Sequence, residues 1–230
     1  MSDADQASPG GEQFDLSAVP VFPLPGVVLF PRAVLPLHIF EQRYRQMTAD
    51  ALAGDRLVAM ALLREGWERD YHGRPAVEPV VCVGRILSSE RLEDGRYNFL
   101  LQGVTRATIQ REYADRPYRY AALAPMPPKA ALEIDLLPER DRLAELFATR
   151  PLAMAPLAKQ FRELVAGAIP TEDVADLVAF HFIEQTALKQ SLLAEIDVRR
   201  RVRRVVSALE SLLPMTAMLC GKDASVAANN

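Results

Sequence analysis

Between residues 19 and 44 short apolar runs alternate with single prolines, and this rhythm sets the reading of the first half of the chain. Pro20, Pro23, Pro25, Pro31 and Pro36, five of the 17 prolines, exclude a continuous helix, because each removes a backbone donor and clashes with the preceding turn. Val21, Leu24, Val27, Leu29, Val34, Leu37 and Ile39 are too apolar to stand in water, so the segment is expected to thread a core as an irregular extended ribbon. Pro25 and Gly26 mark a turn within it. After Pro36 the period changes: Phe40, Tyr44, Met47 and Leu52 recur at helical spacing among polar residues, which predicts an amphipathic helix ending near Gly54.

Strand signals follow. Residues 56–63 form a continuous apolar run that suits a buried strand, and residues 80–87, 97–101, 105–109 and 118–123 are read as its neighbours. Asp94-Gly95 between alternating apolar runs predicts a hairpin, and Gly103 a bulge or bend. The polar stretch 64–79, which carries the only tryptophan, Trp67, together with Tyr71 and His72, is expected to be a long surface loop. Pro125, Pro127 and Pro128 close this part, and the pattern beyond them turns helical, with helices expected over 138–149, 156–167, 171–184, 189–194 and 198–213. Thr171 is the expected cap of one helix and Asp197 of the last. The last helix gathers Val198, Val202, Val205, Val206, Leu209, Leu212 and Leu213 on one arc about 120° wide. The implied organisation is a disordered N-terminus (1–17), a β-rich lobe (18–128), a helical lobe (129–214) and a flexible tail (215–230), an α+β fold.

The composition is that of an ordinary globular protein, with 50% apolar and 25% charged residues. A formal net charge of −3 gives no bulk attraction to nucleic acid or to an anionic membrane. Two cysteines, Cys82 and Cys220, build neither a disulfide framework nor a metal knuckle, and their scarcity fits a reducing interior. The N-terminus carries no basic and apolar leader pattern, and no apolar run approaches the roughly 20 residues of a spanning helix, so a cytoplasmic location is expected.

Signals for chemistry are few. The Arg199 to Arg204 run is read as the solvated face of an amphipathic helix, with Arg201 at the edge of the apolar arc pairing a carboxylate between helices. His38, His72 and His181 have no metal-ligand spacing, and His181 is expected to be structural. There is no G-x-S-x-G, C-x-x-C, S-x-x-K or phosphate-cradling loop in the sequence. Cys82 lies mid-strand among valines, where a thiol acts as a small hydrophobe with a raised pKa. Neither a catalytic residue, a metal nor a cofactor is expected. Trp67 and Tyr71, large aromatics in a polar loop, are the candidate recognition residues, beside the alternative that both fold back and cap the β-lobe.

The opening segment resembles a known family, the N-terminal substrate-recognising domain of the Lon protease. The resemblance rests on residues 19–25, 28–31 and 35–41, then on Val83-Gly84-Arg85-Ile86, Asp94-Gly95-Arg96 and Gln102-Gly103-Val104-Thr105-Arg106, and finally on Leu192-Leu193 through Asp197-Val198 to Arg201. It implies a PUA-like pseudo-barrel joined to a helical bundle. It also implies a free-standing, non-catalytic module that binds exposed or unfolded polypeptide in protein quality control, with a protease or chaperone as a further partner, no cofactor and no membrane. Arg32 stands where the family has glycine and joins Trp67 and Tyr71 as a candidate polypeptide contact, with a groove between the lobes as the expected place. Two competing readings are nucleic-acid binding through the barrel or the arginine stripe, and a cryptic hydrolase gathering His38 or His72 with a nucleophile and a carboxylate.

Overall fold

The computed structural model describes residues 14–70, 73–150 and 152–226, with side chains described as far as Leu212. The chain runs β1 (Val19–Leu24), β2 (Val34–Ile39), α1 (Gln42–Ala53), β3 (Leu57–Leu62), β4 (Val80–Arg91), β5 (Tyr97–Tyr113) and β6 (Arg119–Pro125), and then α2 (Leu137–Ala148), α3 (Ala158–Ala166), α4 (Thr171–Phe182), α5 (Thr186–Leu193) and α6 (Val198–Val226). It is an α+β fold.

The strands are ordered β2-β5-β4-β3-β1-β6, and β6 returns to pair with β5, so five strands close into a barrel with β2 added outside the closure. β5 makes this possible. Its first half holds β2, and its second half holds β6. Register shifts at Val83/Gly84, Ile86/Ser88 and Ile109/Arg111 supply the bends that closure requires. β1 and β3 pair in parallel, the other pairs antiparallel.

Side chains alternate between two buried faces. Val19, Val21, Leu57, Ala59, Ala61, Val81, Val83 and Ala121 gather on one, joined at its edge by Phe14 and Leu16. Phe22, Val58, Met60, Leu62, Cys82 and Ile86 gather on the other, with α1 and the helical half. Because both faces are covered, β3 reads as an unbroken apolar run rather than an alternating one. Phe14 and Leu16 therefore belong to the packed structure, and Leu16 accepts a hydrogen bond from Leu123 at 2.8 Å.

The proline-rich ribbon crosses β5 at Gly103. Arg32 donates its N–H to the Gly103 carbonyl at 2.8 Å, and Gly103 donates to Ala33 at 2.9 Å. A Cβ on Gly103 would stand 2.1 Å from the Phe30 carbonyl oxygen. The glycine admits the ribbon. The ribbon's own end is less buried than its composition suggests: β2 is an edge strand, with Val34 38% and the following Phe40 62% exposed, so α1 buries Tyr44, Met47, Thr48 and Ala51 without Phe40.

The helical half packs on the barrel through one continuous set of buried side chains, among them Leu143, Phe147, Phe161, Val178, Val202 and Leu209. At the seam Arg106 of β5 donates to Asp176 of α4 at 2.6 Å and to the Leu193 carbonyl at 3.0 Å. Arg201 of α6, 1% exposed, brings its Nε within 3.0 Å of the same carboxylate and donates to the Glu195 carbonyl at 2.8 Å. Burial leaves each of these charges dependent on the others.

Two helix starts differ in how they are capped. Asp197 accepts the Arg200 N–H at 3.0 Å, as expected of a cap. Thr171 is instead the first residue of α4, and the cap comes from Glu133, which accepts its N–H at 2.9 Å and its hydroxyl at 2.8 Å. The backbone of α6 continues to Val226, past the expected end near residue 213. The side chains of that extension, Cys220 among them, and the first thirteen residues lie outside the described set.

Candidate functional site

A cleft of about 450 Å³ opens on the barrel where the ends of several elements meet. The end of β1 gives Pro23, Leu24 and Pro25. The start of α1 gives Glu41, Arg43 and Tyr44, and the residue after β3 gives Leu63. A 3-10 turn at Trp67–Asp70 carries Trp67 into the wall, followed by Pro75. The β5–β6 connection closes the cleft with Arg116, Pro117 and Tyr118, and Arg119, the first residue of β6, also lines it. Prolines and aromatics form the walls, and arginines are set among them.

The arginines are held by neighbours. Arg43 lies 3.1 Å from Glu41 and stacks over Tyr44 at 4.6 Å. Arg74 donates to the Tyr113 carbonyl at 2.8 Å. Arg116 reaches Asp50 at 3.0 Å and packs over Tyr120 at 5.0 Å. Tyr118 donates to Asp50 at 2.6 Å, and burial, with Asp50 adding to it, pushes its phenol up to about 12. The phenol stays a neutral donor at physiological pH. Such a lining of planar, preformed surfaces with fixed charges suits a ligand with apolar side chains and a polar backbone.

Trp67 is thus half-buried and in the cleft wall. Tyr71 lies outside the described residues. Arg32 is brought elsewhere: it adopts a left-handed backbone (φ 67°), the conformation a glycine would take freely, and its guanidinium pairs with Asp173 of α4 at 3.2 Å. The expected groove between the lobes is not where this cleft lies, since every residue lining it belongs to the barrel half. Sequence reading missed Tyr44, Arg74, Arg116, Tyr118 and Arg119. They come from separated segments with no common motif.

A second, shallower depression of about 430 Å³ lies on the β2–β5–β4 surface and is lined by His38, Ser88, Ser89, Glu90, Asn98 and Leu100 among others. His38 Nδ1 meets the Asn98 amide oxygen at 2.6 Å, and its Nε2 lies 3.4 Å from Arg96. A serine nucleophile requires a bond to its base. Among the described residues none joins His38 to Ser88 or Ser89, and no group of three ligands suited to a metal occurs.

His72 lies outside the described residues, and the remaining described candidates are structural. Cys82 is fully buried, and its thiol is pushed up to about 12, chiefly by that burial. His181 packs edge-on against Phe161 and Phe180, and burial lowers its pKa. Each arginine of the stripe has an internal partner: Arg199 pairs with Asp135 at 2.7 Å, Arg200 with Glu195 at 3.2 Å, Arg203 with Glu139 at 2.7 Å, and Arg204 donates to Ser191 at 2.6 Å. Arg201 pairs with Glu172 and Asp176 between helices, as its place on the arc implied. Arg199, Arg200 and Arg203 are thus matched by carboxylates of the protein itself, and Arg204 by a serine.

Residues 18–211 match the family described as the ATP-dependent protease La (LON) substrate-binding domain. The chain belongs to that Lon family. It is 27% identical over 209 residues to a Lon protease of Desulfosudis oleivorans, covering 85% of this chain and 24% of that protease. It is 26% identical over 199 residues to Lon protease 2 of Myxococcus xanthus, covering 83% and 23%. The chain therefore spans about a quarter of the length of these Lon proteases. The N-terminal domain of a Mycobacterium avium complex Lon protease superposes with a TM-score of 0.66 at 18% identity, over 84% of this chain and 98% of that one. A Lon N-terminal domain protein from Xanthomonas campestris gives 0.62 at 23% identity, over 83% and 98%. The Lon N-terminal fold is shared in both. Among the described residues no helix is long and apolar enough to cross a membrane.

Proposed function

We propose that this chain is a non-catalytic module that binds exposed segments of unfolded polypeptide, serves protein quality control in the cytoplasm, and offers the Trp67 cleft as its contact surface. The observation that carries the reading is the family match, which spans nearly the whole described chain and is to a substrate-binding domain. The cleft supports it with walls of Pro23, Pro25, Pro75, Pro117, Tyr44 and Trp67, rigid surfaces that lose little entropy when they close on an extended chain. The buried Cys82 thiol and the scarcity of cysteine fit a reducing compartment. A protease or chaperone acting on the captured segment completes the role.

The test is fluorescence anisotropy of a labelled model protein titrated in its reduced, unfolded form and in its folded form. Clear preference for the unfolded form is expected, with Trp67→Ala weakening it by about tenfold or more, as truncation of a central aromatic does. Equal binding of the two forms counts decisively against the proposal.

A further inference from the structure

The connection between β6 and α2 turns its side chains in an unusual sense for a solvated segment. Glu133 is turned to Thr171, whose N–H and hydroxyl it accepts, and Asp135 to α6, where Arg199 lies 2.7 Å away. The alternate residues, Leu132 and Ile134, are left 70% and 67% exposed. One exposed leucine is ordinary, but apolar side chains that alternate with acids bonded to the protein's own helices leave an apolar face outward. Leu137, next in the chain, is exposed as well, and so is Ile196, whose carbonyl accepts the Lys129 N–H at 2.8 Å. The connection lies along the first two turns of α6: Lys129 bonds Ile196 and Val198, Asp135 meets Arg199, and Glu139 at the start of α2 meets Arg203.

The charges beside this face are arranged unevenly. The side chains of Lys129, Arg200 and Arg203 are 61–75% exposed, whereas the carboxylates they pair with, Asp197, Glu195 and Glu139, are 12–20% exposed. The cations are therefore what solvent meets. Arg203 uses Nε for Glu139, and its outer edge is open to a further acceptor. We infer that this strip is a docking surface for an acidic amphipathic helix of a partner protein, whose apolar side lies on Leu132 and Ile134 and whose carboxylates meet the outer edges of Arg200 and Arg203. Residues 129–139 and 195–204 carry six cations against five carboxylates and no aromatic side chain. That balance gives a phosphate backbone or a lipid surface little net charge to hold and a base nothing to stack on, while single carboxylates on a helix can each find one guanidinium. The strip shares no residue with the Trp67 cleft, so a partner seated here leaves the cleft open.

Three labelled helical peptides of about four turns test it by anisotropy with the full chain. The first carries leucines along one face and glutamates on the flanks, the second has glutamine for each glutamate, and the third has serine for each leucine. The first is expected to bind about tenfold tighter than either of the others at low salt, and its advantage over the second should shrink as salt is added. Leu132→Ser with Ile134→Ser, whose side chains carry no hydrogen bond, should weaken it about tenfold. Arg200→Gln with Arg203→Gln should bring the first and second peptides within about twofold. Neither pair of substitutions should alter the binding of unfolded protein. Equal binding of the three peptides, failure of the first to bind, or an affinity unmoved by the Leu132 and Ile134 substitutions overturns the inference. So does tighter binding of phosphatidylglycerol vesicles or of a short oligothymidylate than of the first peptide, or self-association of the chain that those two substitutions abolish. Loss of unfolded-protein binding in the same variant would put the captured segment on this strip and overturn both this inference and the cleft.

Discussion

Gly103 shows how much one position can decide. Its absent side chain lets the ribbon lie against β5, and a Cβ there would meet the backbone oxygen of Phe30, which no rotamer change relieves. Gly103→Ala is expected to destabilise the fold by about 3 kcal/mol, the upper end of overpacking costs, read as a lower urea midpoint. Cys82 makes a prediction in pH. Its thiol, at 9.0 in the ordinary case, is held at about 12 by burial. The folded chain keeps a proton that the unfolded chain releases, so the associated stability is complete below pH 9 and drains as pH rises towards 12. Urea midpoints measured from pH 8 to about 11 in a Cys220→Ala background should fall, and fall less steeply once Cys82→Ala is added. The same fall with and without Cys82 would contradict the assignment. That Gly103 marks a bend and that Cys82 is a buried thiol was legible because local sequence decides both, whereas the approach of Phe30 to Gly103 was not. That Arg32 takes a glycine-like backbone and answers Asp173 was not, since its partner lies 141 residues away.

Among the elements, the best-read signals were again local. The Asp94-Gly95 turn joins β4 to β5 with Gly95 at φ 81°, and Asp197 caps α6. Asp197→Ala should therefore lower the melting temperature by about 2–4 °C, and Asp197→Asn, which keeps an acceptor for the Arg200 N–H, should lower it less. A smaller loss for alanine than for asparagine would show that the cap is not what Asp197 supplies. Element ends were read less well. α4 borrows Glu133 for its cap from a distant turn, so Thr171 alone misleads. Phe40 has the spacing of a core residue but lies ahead of α1, where the chain is still leaving the exposed edge strand. The two strand signals flanking Gly103 prove to be one strand of 17 residues, because the bend is absorbed by a bulge instead of a break.

Across the whole molecule, the barrel and helices share one buried cluster and the Arg106, Asp176 and Arg201 charges. The α+β character could be read from the change of period after Pro128. The site could be read only in part. Trp67 announced itself as an aromatic in a polar loop, whereas Tyr44, Tyr118 and Arg119 reach the same cleft from α1, the β5–β6 turn and β6, a convergence that only the closed barrel produces. That convergence also supplies the most direct test. Trp67 is the single tryptophan, so its emission reports on the cleft without a label. Titration with an unfolded protein that itself lacks tryptophan should shift or quench this emission saturably, with the same midpoint as the anisotropy curve, while the folded form leaves it unchanged. Saturable binding with Trp67 emission unmoved would place the polypeptide elsewhere and contradict the account.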